Sequence, residues 1–160
     1  MTAHGVSGML DTMTVIIRRA RGADVEDIVA MLADDPLGAS RERPGDPRYA
    51  EVFAELDADP RQVLAVAELD GEVVGTLQLT FIPGLSRVGA TRALIEAVRV
   101  RSDRRGGGLG KQLIEWAIDE ARQAGCALIQ LTTDASRTAA HRFYERLGFA
   151  ASHVGMKLIF

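Results

Sequence analysis

Cysteine is nearly missing: Cys126 stands alone among 160 residues. A single thiol closes no internal disulfide, and within "GCALIQL" it reads as a small buried hydrophobe in a reducing, cytoplasmic setting. Histidine is also scarce. His4, His141 and His153, with that one cysteine, show no metal-ligand spacing, so no metal is expected. Nor is there a run of ~18 apolar residues of the kind a membrane helix needs. The opening "MTAHGVSGMLD" lacks the basic start and apolar middle of a secretory signal, and residues 1–12 are expected to form a flexible tail. An excess of basic charge is missing too. With 19 Lys and Arg against 22 Asp and Glu, the net charge is −3, which argues against bulk nucleic-acid binding. No repeat, linker or low-complexity tract divides the rest, so residues 13–160 are expected to be one domain.

What is present is strong periodicity. "TVIIRRA" (14–20) reads as a strand, and "ADVEDIVAMLADD" as a helix with Ala23, Ile28, Met31 and Leu32 inward and Asp24, Glu26 and Asp27 at its start. Residues 36–47 are loop-like, and a short helix follows from about Arg48 to Leu56. "RQVLAVAEL" and "EVVGTLQLTFI" flank Asp70-Gly71, the signature of a two-residue hairpin turn. "TRALIEAVRV" (91–100) is a further strand. In the next helix Leu109, Leu113, Ile114, Ala117, Ile118 and Ala121 face inward, up to Gly125. "CALIQLTT" is a buried strand, "SRTAAHRFYERLG" a helix with Ala139, Ala140, Phe143 and Leu147 on one face, and "HVGMKLIF" a closing strand. This order predicts one mixed α+β domain, a sheet with helices on both faces, whose unit from Thr91 to Thr132 is a right-handed crossover between parallel strands.

Between strand and helix lies "RRGGGLGK" (104–111). A helix start offers unpaired amides and partial positive charge, and glycines let an anion approach that backbone. The dinucleotide fingerprint fails, because Lys111 stands where its last glycine belongs. The P-loop fails as well, with Arg105 in place of its first glycine and Gln112 in place of Ser or Thr. The spacing that fits is Val100, Arg105, Gly108, Gly110. It resembles the acetyl-CoA signature V-x-x-x-x-[RQ]-x-x-G-x-[GA] of the GCN5-related N-acetyltransferase (GNAT) superfamily. "AAHRFYERLGF" (139–149) resembles the second motif of that family, with Ala140, Tyr144, Arg146, Gly148 and Phe149 in register. Together the motifs span about residues 98–149, separated by one helix and one strand as in the family. "SRTAAHRFY" and "FAASHVGMKL" are similar to its small-molecule acetyltransferases, aminoalkylphosphonate acetyltransferases among them.

The resemblance implies a central, mostly antiparallel mixed sheet of six to seven strands flanked by about four helices. It implies acetyl-CoA as cosubstrate, a small primary amine as acceptor, and direct attack in a ternary complex. The coenzyme-binding residues would be Val98, Arg99, Val100, Arg105, Gly106, Gly107, Gly108, Leu109, Gly110 and Lys111, through backbone amides at the turn and strand-like pairing at the two valines. Many members carry asparagine seven residues before the motif tyrosine, where this chain has Arg137, placed to meet a coenzyme phosphate, a substrate anion or solvent. Tyr144 takes the position of the family's leaving-group acid. By alternation Glu96 is expected on the face of Val98 and Val100, as a base acting through water or as a salt-bridge partner of Arg92. The acceptor is expected between the first two helices, their loop and the "FIPGLSRVGAT" segment. Members often form dimers, and the terminal strands make a homodimer an expectation here. Acetylation of a protein N-terminus or lysine, and a non-catalytic acyl-CoA-binding regulatory domain, are the rival functions.

Overall fold

The computed structural model describes residues 14–36 and 38–160; the expected N-terminal tail, with His4, lies outside them. Two-residue alternation builds the sheet. Strands β1 (Val15–Arg19), β2 (Gln62–Leu69), β3 (Glu72–Pro83), β4 (Thr91–Val100) and β5 (Leu128–Leu131) lie side by side in that order. All neighbours are antiparallel except β4 and β5. Asp70 and Gly71 adopt φ of 51° and 81°, the paired left-handed turn that their sequence predicts for the β2–β3 hairpin. The parallel β4–β5 pair is joined through α4 (Leu109–Gln123), as the crossover reading requires.

Helices cover both faces. Helices α1 (Val25–Ala33) and α2 (Arg48–Ala58) pack on one, where Ile28 and Met31 meet Val66 and Val73. On the other, Leu113, Ile114 and Ala117 of α4 close over Val63, Leu77, Leu79 and Ile95. Between β3 and β4 runs α3 (Ser86–Gly89), a single turn in which Arg87 and Val88 are left-handed. Helix α5 (Thr138–Arg146) follows β5.

Four expectations are corrected. Ala23 is exposed and Asp24 buried, because Gly22–Asp24 form a 3-10 turn ahead of α1. There Arg18 donates to both Asp24 carboxylate oxygens at 2.7 and 3.0 Å, and Arg18 Nε donates to Glu68 at 2.8 Å. The sheet has five strands among the described residues, not six to seven. "HVGMKLIF" is no strand: residues 151–160 pair with nothing, and their apolar side chains stand in solvent. The strand expected from "CALIQLTT" is also shorter, covering Leu128–Leu131 alone.

Candidate active site

Strand β4 is held on both sides only in its first half. Its pairing with β5 runs from Arg92↔Leu128 to Ile95↔Leu131 and stops, while pairing with β3 continues to Val100. The strands therefore part beyond Ile95 and leave a gap edged by residues 96–100. The Arg101 amide donates to the Val74 carbonyl at 2.9 Å, so the backbone of Arg99 and Arg101 faces β3. By strand alternation the amides and carbonyls of Val98 and Val100 face the gap. The valine side chains join the core beneath α4.

A bulge inside β4 re-aims its other side chains. Thr76 pairs with Arg99 but Gln78 pairs with Glu96, so β4 holds one extra residue there, Ala97, with φ of 52°. Alternation is thereby broken. Glu96 lies opposite Gln78, on the α1–α2 face, and not on the face of Val98 and Val100 as expected. Arg99 shares the Glu96 face and is pinned there. Its Nη2 lies 3.0 Å from an Asp35 carboxylate oxygen, Nη1 donates to the Val98 carbonyl at 2.8 Å, and Nε is buried without a partner.

Past Val100 the chain makes a 3-10 turn, Ser102–Arg104, and then the glycine run. Gly106 and Gly108 have φ of 80° and 85°, and a Cβ on either would meet nothing within 4 Å. Gly108 caps α4, and the Gln112 amide donates to its carbonyl at 3.1 Å, leaving the amides of the first turn without helical partners. Leu109 is buried, so toward a ligand it offers its amide only. Gly110 sits under α5, where a Cβ would lie 3.6 Å from the Phe143 ring. Arg105 bridges two segments, donating to the Val100 carbonyl at 3.0 Å and the Asp34 carbonyl at 3.2 Å. Lys111 is exposed, 3.7 Å from Glu115.

Tyr144 comes from α5, wedged edge-on between Phe143 and Phe149 at ring-centre distances of 5.1 and 5.9 Å. Burial pushes its phenol above the ordinary value, while the positive charges of Arg137 and Arg99 pull it back. Arg137 itself is exposed at the N-cap of α5. His141 is half-buried, with Nε2 3.0 Å from the Asp134 carbonyl, and His153 lies in the exposed C-terminal segment. On the α1–α2 face a cavity of about 150 Å³ opens between Ile28, Leu32, Phe53, Gln78 and the bulge residue Ala97. The "FIPGLSRVGAT" segment does not line it.

Residues 25–149 match the Acetyltransferase (GNAT) family. The chain belongs to that family. It is an acetyl-CoA-dependent acyltransferase. Over 105 residues it is 38% identical to aminoalkylphosphonate N-acetyltransferase of Salmonella typhimurium, covering 66% of this chain and 68% of that enzyme. Over 147 residues it is 31% identical to the L-methionine sulfoximine/L-methionine sulfone acetyltransferase of Pseudomonas paraeruginosa, covering 88% and 83%. Among solved structures, a transcriptional regulator from Bacillus halodurans C-125 superposes with a TM-score of 0.89 at 51% identity, covering 92% of this chain and all of that one.

GNAT acetyltransferases use acetyl-CoA, and the residues here fit its anionic end. Free helix-start amides, open space over Gly106 and Gly108, and a buried Arg104 Nε that has no hydrogen-bond partner and only a 3.7 Å ion pair to Asp103 are suited to a diphosphate. Among the described residues no group of His, Cys, Asp or Glu could hold a metal, and no helix is long and apolar enough to cross a membrane. Sequence reasoning missed Asp34 and Asp35, which tie Arg105 and Arg99 to the end of α1. Nothing in the pattern marks them, since acids after a helix read as solvated loop. It missed the Ala97 bulge too, because alanine carries no signal for a left-handed φ.

Proposed function

We propose that this protein transfers the acetyl group of acetyl-CoA to the primary amine of a small molecule, by direct attack in a ternary complex. The parting of β4 from β5 beyond Ile95 carries this reading, because it exposes strand backbone beside an amide-rich helix start. Backbone groups of Val98 and Val100 would hold the pantetheine arm as an added strand, and the amides of residues 105–110 its diphosphate. When bound, the coenzyme supplies an activated acetyl thioester and a thiolate leaving group. The Val98 or Val100 amide would polarise the thioester carbonyl.

The chain's own residues manage the protons. A phenol raised by burial stays protonated at neutral pH, so Tyr144 is a hydrogen-bond donor for developing thiolate charge. Glu96, turned by the bulge to the α1–α2 face, is positioned on the side of the apolar cavity and would accept the amine proton through water. The cavity equals roughly five water volumes, which suits a short side group. Aminoalkylphosphonates and methionine sulfone, the substrates named for the two relatives above, are small amines and support this acceptor class.

Thiol release from acetyl-CoA across a panel of small amines tests the proposal. We expect turnover on small amines; turnover on peptides alone would shift the reading to protein acetylation. Tyr144→Phe should lower kcat by about 100-fold and leave coenzyme affinity within about twofold. Unchanged kcat removes Tyr144 from the chemistry.

A further inference from the structure

Where the Ala97 bulge turns β4, one face of that strand acquires two opposite charges. Glu96 pairs across with Gln78 and Arg99 with Thr76, and Thr76, Gln78 and Ala97 all line the apolar cavity. Paired residues of neighbouring strands share a face, so Glu96 and Arg99 stand on the cavity side with the bulge between them. Thr76 and Gln78 are two residues apart, which sets the two charges roughly 7 Å apart along the strand. A carboxylate and a guanidinium thus flank the piece of cavity wall that Ala97 forms.

Its contacts within the fold leave Arg99 incomplete. The Arg99 side chain is only 12% exposed and that of Asp35 13%, a costly setting for a guanidinium. Asp35 at 3.0 Å and the Val98 carbonyl at 2.8 Å leave Nε buried and without a partner. Unpaired buried donors are rare, and a missing ligand is one reason for them. Like charge also gathers round it. Burial pushes the Arg99 guanidinium below its ordinary value, Asp35 opposes, and the positive charges of Arg137 and Arg41 push it further down. Arg41, tied to Glu42 at 3.2 Å, comes from the segment between α1 and α2, and Arg137 from the start of α5. Three separate parts of the chain therefore bring guanidiniums within reach of one another. Arg137 and Arg99 act on Tyr144 as well, which sets this charge beside the group proposed to meet the thiolate. An entering anion would relieve the repulsion and supply the missing acceptor.

We propose that Arg99, with Arg41 and Arg137, binds an acid group on the acceptor, which is a short primary amine carrying an oxyanion at its far end. The amine lies toward Glu96 and the acid toward Arg99, and the spacing of those two residues calls for few carbons between them. The proposal rests on the acetyl-transfer reading and narrows its acceptor. An Arg99 that merely pinned α1 to β4 through Asp35 would give no preference for acid-bearing amines.

Three amines of one length test this: propylamine, β-alanine and aminoethylphosphonate, compared by kcat/KM for thiol release from acetyl-CoA. We expect one acid-bearing amine or both to exceed propylamine by at least about 100-fold, the better one naming the oxyanion. Arg99→Gln should bring that ratio down to within about threefold of one, and Arg99→Lys, which keeps the charge and loses the planar fork, should fall between. The ratio cancels any loss common to all amines. Propylamine matching both acids, or a preference that survives Arg99→Gln, overturns the proposal. Calorimetric titration of propanoate and ethylphosphonate, with coenzyme A present to cover the glycine turn, separates this proposal from the reading beneath it. If no amine is turned over, acetyl transfer fails; binding of either anion that Arg99→Lys weakens then keeps the acid site, and no binding of either overturns it. The wild-type arms need no variant, so a misfolded Arg99→Gln leaves the test intact.

Discussion

Leu77, Leu79, Leu113 and Ile114 have no solvent-exposed surface, whereas β5 and α5 together contain no buried residue. In the first set, Leu77 and Leu79 belong to β3, a long strand flanked on both sides, and Leu113 and Ile114 to α4, which caps it. The second lies at a sheet edge, under a helix with sheet on one side only. The gap between β4 and β5 runs along the seam of these two regions. The glycine turn therefore hangs from the well-packed region, and Tyr144 from the sparsely packed one. In the proposed mechanism, precise placement of a diphosphate would need a rigid backbone, while Tyr144, proposed to meet the thiolate, sits where small movements are cheap.

Truncating one leucine in each region gives the sharpest contrast. Leu113→Ala, with the side chain wholly enclosed, should destabilise the protein by about 4 kcal/mol in urea unfolding. Leu147→Ala, half-buried after α5, should lose under about 1 kcal/mol. Equal losses would mean that α5 is as firmly packed as α4. Next comes the buried carboxylate of the well-packed region. The Arg18 hydrogen bonds hold Asp24 below the usual carboxylate range, assisted by the Arg21 amide and opposed by burial. A carboxyl depressed in the fold contributes stability that is complete above pH ~4 and fades as pH falls through its folded value. Asp24→Asn leaves Arg18 with Glu68 alone, which should cost about 3 kcal/mol near neutrality and flatten the acid limb of the stability profile. An unchanged acid limb would place the acid-sensitive group elsewhere.

The well-packed region was the legible one. Alternation in β2 and β3, the Asp70-Gly71 turn, and the helical stripe of Leu113, Ile114 and Ala117 each follow from a local rule. Strand β4 begins and ends where its sequence says. The face of Glu96 was not legible, because one inserted residue inverts an alternation argument and Ala97 does not announce it. The closing strand failed for a different reason. "HVGMKLIF" has the right pattern, but pairing requires a neighbour, and periodicity carries no information about whether that neighbour is in the same chain. The glycine turn stood out through spacing, yet the anchoring of Arg105 by Asp34, and of Arg99 in β4 by Asp35, is a tertiary fact.

The smallest effect separates backbone conformation from space at the turn itself. Gly106 and Gly108 are left-handed and Gly107 is not; a Cβ on Gly107 would lie 3.6 Å from the Arg104 carbonyl oxygen, an ordinary contact. Gly108→Ala should therefore destabilise by about 1 kcal/mol purely through φ, and Gly107→Ala should be close to neutral. If the turn aims its amides at a diphosphate, the same Gly108→Ala change should also raise the KM for acetyl-CoA by about tenfold with kcat nearly unchanged, since it loosens binding in ground and transition states alike. A stability loss with unaltered KM would show that the left-handed residue shapes the helix start without setting the coenzyme's seat. The coenzyme would then depend chiefly on the open edge of β4.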